Sequence, residues 1–273
     1  MEPDPGIGPT QDLSLRASVG TLVRVVFNHP RIGERMLALE QKATLHETEH
    51  GSVMDVRSQP FGGAIRILDV KALQALIGDF HFDSPRSHAE QDFRLFIQPS
   101  SWSVLREFCV QHLSRVDDPI LETDPARELV EEVHDALGID LQPEQYISIP
   151  VATVVENEPT PTANIHATGY FTVRVYRIFE ATLSDARLAL NMMESSEHHS
   201  EQELRQLAWV DYQNGSKGRA NAVLTLPLKQ LSDWYSSMPP EERNAPVVYE
   251  QRHLNETVAA MLDGIDVPKY QKL

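Results

Sequence analysis

A single cysteine, Cys109, stands in the 273 residues. No internal disulfide can form and no Cys pair can build a zinc ribbon, so the expected setting is a reducing, cytoplasmic one. Long hydrophobic runs are also missing. The stretch at 149–155 is among the longest, far below the roughly 20 apolar residues a spanning helix needs. The start, Met1-Glu2-Pro3-Asp4-Pro5, has neither the basic residues nor the apolar block of a secretory leader, which reads as no signal peptide and no membrane anchor. Basic charge is scarce: 24 Lys and Arg face 40 Asp and Glu, a formal charge of -16. Such an excess repels phosphate backbones and anionic lipid, excluding sequence-independent nucleic-acid binding and attachment to a membrane surface. What remains is ordinary globular composition, 41% hydrophobic and 23% charged, with 18 Pro pointing to ordered turns.

Residues 1–15 are poor in large apolar side chains and read as a flexible tail. The β-branched run at 19–27 reads as a strand closed by Asn28-His29-Pro30. Residues 35–41 fit either the returning strand of a hairpin or a helix running to His50. Residues 53–68 read as a strand that meets Gly62-Gly63, a pair that lets backbone approach backbone or ligand. Helical spacing marks 71–77 and 102–113, with a loop at 79–90 and a strand at 93–97 between them. Further on, 146–155 and 170–183 read as strands, 191–203 as a polar loop, 204–210 as a strand and 228–235 as a helix.

The clearest helix spans 125–137. Asp124 fits the N-cap, Pro125 the first position and Gly138 the stop. At about 100° per residue, Glu128, Glu131, Glu132 and Asp135 share one arc, while Leu129, Val133, Ala136 and Leu137 supply a face to bury. Such a stripe is either a solvated face or a divalent-metal site, because carboxylates at i, i+3 and i+4 can converge on one hard cation.

The string Arg127-Glu128-Leu129-Val130-Glu131-Glu132 resembles the R-E-U-x-E-E core of the Nudix box, G-x5-E-x7-R-E-U-x-E-E-x-G-U with U aliphatic, at every specified position of that core. Gln59-Pro60-Phe61-Gly62-Gly63-Ala64 resembles the Pro-Gly-Gly element at which a Nudix strand enters the motif loop. The segments at 146–155, 170–183 and 204–210 resemble the second half of a Nudix sheet, so the resemblance covers roughly residues 20–235. It implies an α/β (α+β) fold: a Nudix-like α/β/α sandwich with a mixed sheet over 16–235. A long insertion at about 65–115 would separate the Gly-Gly loop from the acidic helix, and 236–273 would form a C-terminal extension. It further implies that Glu128, Glu131 and Glu132 bind Mg²⁺ or Mn²⁺. Arg127 would orient them by ion pairing as part of a catalytic group with Glu131 and Glu132, and Gly62, Gly63 and Arg66 would meet the substrate.

Three positions depart from the motif. Its first Glu falls on Pro119, which can neither bind metal nor act as a base. His134 replaces the Gly after the paired glutamates, and Gly63 precedes Arg127 by 64 residues where the motif specifies fourteen. Glu122, Glu90, Asp92, Glu201 and Glu203 are the carboxylates that could substitute, each equally readable as surface charge. Arg57, Arg66, Arg86 and Arg94 flank the Gly-Gly loop and insertion, where they would either clamp phosphate or pair with surface acids. A second pattern, His46-Glu47-Thr48-Glu49-His50, formally matches the zinc-binding H-E-x-x-H, but its threonines and extra acid read better as a solvated hairpin turn. Cys109 falls on the apolar side of its helix, which reads as packing.

Two functions are therefore expected. One is metal-dependent hydrolysis of a diphosphate linkage in a nucleotide-like substrate. The other is a catalytically impaired module that binds or senses a nucleotide-derived ligand or a partner protein, with a homodimer left open alongside a monomer. Pro119 favours the second and the intact R-E-U-x-E-E core the first.

Overall fold

Residues of the run that begins at Leu15 are buried on both faces, the mark of a strand at the centre of a covered sheet. The computed structural model describes residues 7–10, 12–48, 51–156, 158–162, 167–243, 247–262 and 270–272. In chain order the elements are β1 (Leu15–Asn28), β2 (Arg35–Thr48), β3 (Gly51–Gln59), α1 (Val70–Ile77), β4 (Phe80–Phe82), α2 (Pro85–Glu90), β5 (Arg94–Ile97), α3 (Trp102–His112) and α4 (Ala126–Leu137). There follow β6 (Tyr146–Glu156), β7 (Thr160–Pro161), β8 (Phe171–Leu183), α5 (Ala186–His198), α6 (Glu201–Gln213), β9 (Arg219–Pro227), α7 (Leu228–Ser237), β10 (Val247–Tyr249), β11 (Arg252–Leu254), α8 (Thr257–Met261) and β12 (Tyr270–Lys272). The chain is thus α+β with one mixed sheet.

Among the described residues the sheet runs β10-β11-β3-β2-β1-β8-β6-β12, with β9 added to β2 and β5 to β1. β1 and β8 are parallel from Leu15↔Phe171 to Val26↔Thr182, whereas β2 pairs antiparallel with β3 and β9. Residues after 236 supply both ends of this order through β10, β11 and β12, so they complete the sheet. The two faces of β1 belong to different helical layers. Val23, Val25 and Phe27 pack with Leu129 and Val133 of α4 and Leu188 and Met192 of α5, whereas Leu22 and Val26 pack with Leu231 and Tyr235 of α7 and Val258 of α8.

The geometry that positions the site lies where the chain leaves and re-enters this sheet. After β3, Phe61 and Ala64 bridge to Val23 and Gly20 of β1, carrying Gly62-Gly63 along the edge of the strand. The chain then departs through α1, β4, α2, β5 and α3, which enclose a core of Ile67, Leu73, Phe82, Phe93 and Leu105. It returns beside its point of departure: Ile67 bridges to Leu121, Leu68 N–H donates to the Ile120 carbonyl at 2.7 Å and Glu122 N–H to the Arg66 carbonyl at 3.0 Å. The excursion closes on itself, so the start of α4 lies next to Gly62-Gly63.

Several expectations need correction. Residues 79–90 are not a loop but β4 and α2, the helix opened by the Ser84 hydroxyl accepting from Ser87 N–H at 3.1 Å. Residues 191–203 fall mostly on α5 and the start of α6, and 204–210 form helix, not strand. There Ser200 and Glu203 make a reciprocal capping box and Leu204 and Ala208 bury at helical spacing, which outweighs the β-forming character of Trp209-Val210. Residues 35–41, open between strand and helix from sequence, take the strand alternative because β2 is sandwiched between neighbours, overriding the helix propensity of Met, Leu, Ala and Glu. Pro125 itself occupies the N-cap of α4, with Asp124 Oδ1 accepting from Ala126 N–H at 2.8 Å.

In the expected tail, Ile7 bridges to Phe82 and Leu13 is buried, while residues 1–6 and 11 lie outside the described residues. His46 to Thr48 continue β2, so no helix presents the two histidines of the zinc pattern on one face; His50 lies outside the described residues. Cys109 is fully buried on α3, where desolvation pushes its thiol well above the ordinary range. Among the described residues no helix is long and apolar enough to cross a membrane.

Candidate functional site

α4 lays Leu129 and Val133 into the core and turns its acidic residues toward β2 and β9. The resulting cavity, about 970 Å³, is walled on one side by Glu128, Glu131, Glu132 and Asp135. Lys42 and Thr44 of β2 form its floor with Asn221 and Arg219, and Lys217 also lines it.

Gly62 and Gly63 bring the strand edge onto the carboxylates. Gly62 N–H donates to Glu132 Oε2. The Glu128 carboxylate lies so close against Gly63 that a Cβ there would collide with it. The Gly63→Ala variant should therefore displace Glu128 while costing little stability, because the clash is with a side chain that can turn. A thermal midpoint within a few degrees of wild type, together with weakened divalent-cation binding in calorimetry, is the expected result; unchanged cation binding would count against a role for this contact.

Arg127 sits beneath the acidic wall. Its guanidinium bonds Glu122 through Nε at 2.8 Å and Glu128 through Nη1 at 2.6 Å, with Glu131 at 3.6 Å. Burial alone would lower its pKa, but these three acids outweigh burial and raise it. Glu122 thus shares the clamp and fixes Arg127 in place. Glu128 is held above the usual carboxylate range, first by burial and then by the nearby charges of Glu131 and Asp92, against the opposing pull of Arg127. Glu131 is 61% exposed at its side chain and lines the cavity, held only by its longer contact with Arg127.

Glu132 does not lie on a solvated face. It is buried, and Lys42 Nζ lies 3.0 Å from its Oε1 and 2.6 Å from Oε2 of Glu40, a carboxyl with no exposed surface. Burial pushes both acids upward, Glu132 strongly, with Glu40 adding to the shift of Glu132 and Lys42 opposing both. Burial likewise opposes the Lys42 ammonium, yet Glu132 and Glu40 outweigh it and raise its pKa. Lys42 and Glu40 were not singled out from the sequence. The available signal was an acid and a base two apart in a run that can be read as strand, whose side chains then share one face by strand alternation.

The other expected residues are only partly gathered here. Arg66 lies near the loop but donates to the Glu90 carbonyl at 3.3 Å and does not line the cavity; Arg86 does line it, paired with Glu90 at 2.9 Å. Arg57 pairs with Asp55 and Arg94 with Asp92. Glu201 bonds His253 and Glu203 caps α6, which removes both as substitutes for the missing motif acid. Among the described residues no three His, Cys, Asp or Glu side chains stand close enough to hold an ion as they are arranged. In comparisons with known proteins, no family model, no curated protein and no solved structure matches the chain significantly.

Proposed function

We propose that this chain is a Nudix-type, metal-dependent hydrolase of a diphosphate linkage in a nucleotide-like substrate. One observation carries the reading: Gly62-Gly63 lies directly on Glu128 and Glu132 of α4, although 64 residues separate Gly63 from Arg127. That is the arrangement the motif resemblance calls for once the intervening segment is an excursion that closes on itself.

The donor set suits a hard divalent cation. Glu128 and Glu131 offer oxygens to the cavity and Glu132 stands at its rim, so a turn of the exposed Glu131 side chain would bring the three toward one ion. When bound, Mg²⁺ or Mn²⁺ would neutralise charge on the phosphoryl oxygens and lower the pKa of the attacking water. The chain's own part is preorganisation. Arg127 fixes Glu128, and Lys42 and Gly62 N–H fix Glu132.

The test is to incubate the protein with nucleoside diphosphate derivatives and Mg²⁺ or Mn²⁺, comparing wild type with Glu131→Gln and Glu132→Gln. Turnover in wild type that both variants lose is the expected result. The second reading, a binding or sensing module without turnover, is favoured by the partners already held by both Glu132 oxygens and by Pro119 at the place of the first motif acid. Tight ligand binding by wild type with no product would select it.

A further inference from the structure

We infer that a second cavity, between the returning segment 113–126 and strands β6 and β8, binds a carboxylic acid with an apolar body through Arg177. This cavity, about 610 Å³, shares no lining residue with the one at Glu128, so its assignment is independent of the hydrolase reading.

Arginines below the surface of this chain have strong acceptors. Every other buried or half-buried arginine among the described residues bonds a carboxylate or a backbone carbonyl: Arg16 meets Asp83, for example, Arg174 meets Glu156, and Arg205 meets the Met54 carbonyl. Arg177, half-buried, is the exception. Its side chain makes one hydrogen bond among the described residues, from Nη1 to the Thr153 hydroxyl at 3.0 Å, and its guanidinium carbon lies 5.7 Å from the centre of the Phe179 ring. Its Nε is covered and has no acceptor among the described residues. Burial lowers its pKa, and no neighbouring acid opposes that shift. The Ser148 hydroxyl, on the same cavity, is likewise covered and unpartnered among the described residues. Buried polar groups without partners are costly and uncommon, and two on one cavity leave hydrogen bonds for a ligand to make.

Strand geometry brings the two together. Arg177 and Phe179 of β8 share a face by alternation, as do Tyr146, Ser148 and Pro150 of β6, and all five line the cavity. Pro150 pairs with Phe179 and Thr153 with Arg177; between them β6 carries an irregularity at Val151, beside a proline that cannot donate to the ladder. Leu68, Leu113 and Leu121 of the excursion add apolar wall.

The remaining lining selects the ligand. Asp118 accepts Ile120 and Leu121 N–H and pairs with Arg115, Glu122 holds Arg127, and Asp124 accepts Ala126 N–H. These acids, with Asp117, repel a dianion such as a phosphate monoester, whereas one guanidinium matches one negative charge. A carboxylate meets the Nε–Nη2 edge of an arginine with both oxygens, the edge through which Arg16 holds Asp83. Nε, covered as the side chain lies, reaches the ligand by a turn of the guanidinium about its Thr153 bond, and the Ser148 hydroxyl adds a further donor. The apolar body lies against the leucines, Pro150 and Phe179, in a volume typical of small-molecule sites.

The experiment is calorimetric titration of the full chain at pH 8 with 2-naphthoate, octanoate, neutral 2-naphthamide and 2-naphthyl phosphate, a dianion at that pH. Wild type should bind both carboxylates, with 2-naphthoate at least tenfold tighter than 2-naphthamide and tighter than 2-naphthyl phosphate. Arg177→Gln should weaken 2-naphthoate at least tenfold and leave 2-naphthamide unchanged. Arg177→Lys, which keeps the charge but loses the planar edge, should weaken it at least threefold, and Ser148→Ala a few-fold. Glu131→Gln, at the other cavity, should bind 2-naphthoate as wild type does. Circular dichroism checks that each variant is folded, and Arg177→Lys and Ser148→Ala carry the test if Arg177→Gln is not. No carboxylate binding by wild type, 2-naphthamide bound as tightly as 2-naphthoate, or 2-naphthoate binding indifferent to the folded Arg177 and Ser148 variants would overturn the inference. So would a loss in Glu131→Gln equal to that in Arg177→Gln.

Discussion

Replacing Gly62 with alanine is expected to destabilise the fold by about 2–5 kcal/mol, the sum of left-handed backbone strain of about 1–2 kcal/mol and overpacking of about 1–3 kcal/mol. Gly62 adopts φ +128°, a conformation that L side chains rarely take. A Cβ there would meet the Thr21 carbonyl oxygen and the Leu22 Cα of β1, atoms of a central strand that cannot step aside. This is the contrast with Gly63, where the obstacle is the movable Glu128 side chain. Because Gly62 N–H also donates to Glu132, a shift of the loop would remove a charge-assisted hydrogen bond from the carboxylate wall. Urea unfolding at neutral pH measures the effect. A loss below about 1 kcal/mol, less than the cost of the strain alone, would mean that the loop does not run this close to β1.

The sequence already carried the parts of this arrangement that local rules dictate. α4 could be placed from a Pro near its start, a Gly at its end and apolar spacing between, and the strands at 146–155 and 170–183 from alternation; the structure puts them at α4, β6 and β8. α5 and α6 were missed because a polar, histidine-containing stretch reads as loop, although Asp185 and Ser200 are both N-caps of the residue types that favour that position. The site was legible as an acidic stripe but not as a site. Nothing local says that Glu132 would be buried against Lys42, since that contact spans 90 residues and depends on the pairing of β2 with β9. Nor could the 64-residue gap before Arg127 be recognised as a closed excursion, because its closure lies in two backbone hydrogen bonds between residues 66–68 and 120–122.

Removing the ammonium that holds the buried acids should have a comparable effect with a distinct pH signature. In Lys42→Met, Glu40 and Glu132 face each other without a cation, and Glu40 Oε1 already lacks a hydrogen-bond partner among the described residues. Breaking a buried pair typically costs 3–5 kcal/mol, and because Lys42 is 34% exposed, water should replace part of what it supplies, giving about 3 kcal/mol at neutral pH. Both acids have folded-state pKa values above the ordinary 4.5, so the folded protein holds protons that the unfolded chain releases. Their contribution is therefore most favourable at or below that value and declines as pH rises through the folded pKa values. Lys42, raised above its ordinary 10.5, offsets the decline across neutral pH and loses that effect only above 10.5. Without it the acids shift further upward, so the variant should be weakest near pH 8 and regain most of its deficit near pH 5, where a shared proton replaces the missing ammonium. Urea midpoints of wild type and Lys42→Met across this range test the point. A deficit that stays constant from pH 5 to pH 8 would show that the lysine acts through packing of its alkyl stem and that the two carboxyls do not carry the cost.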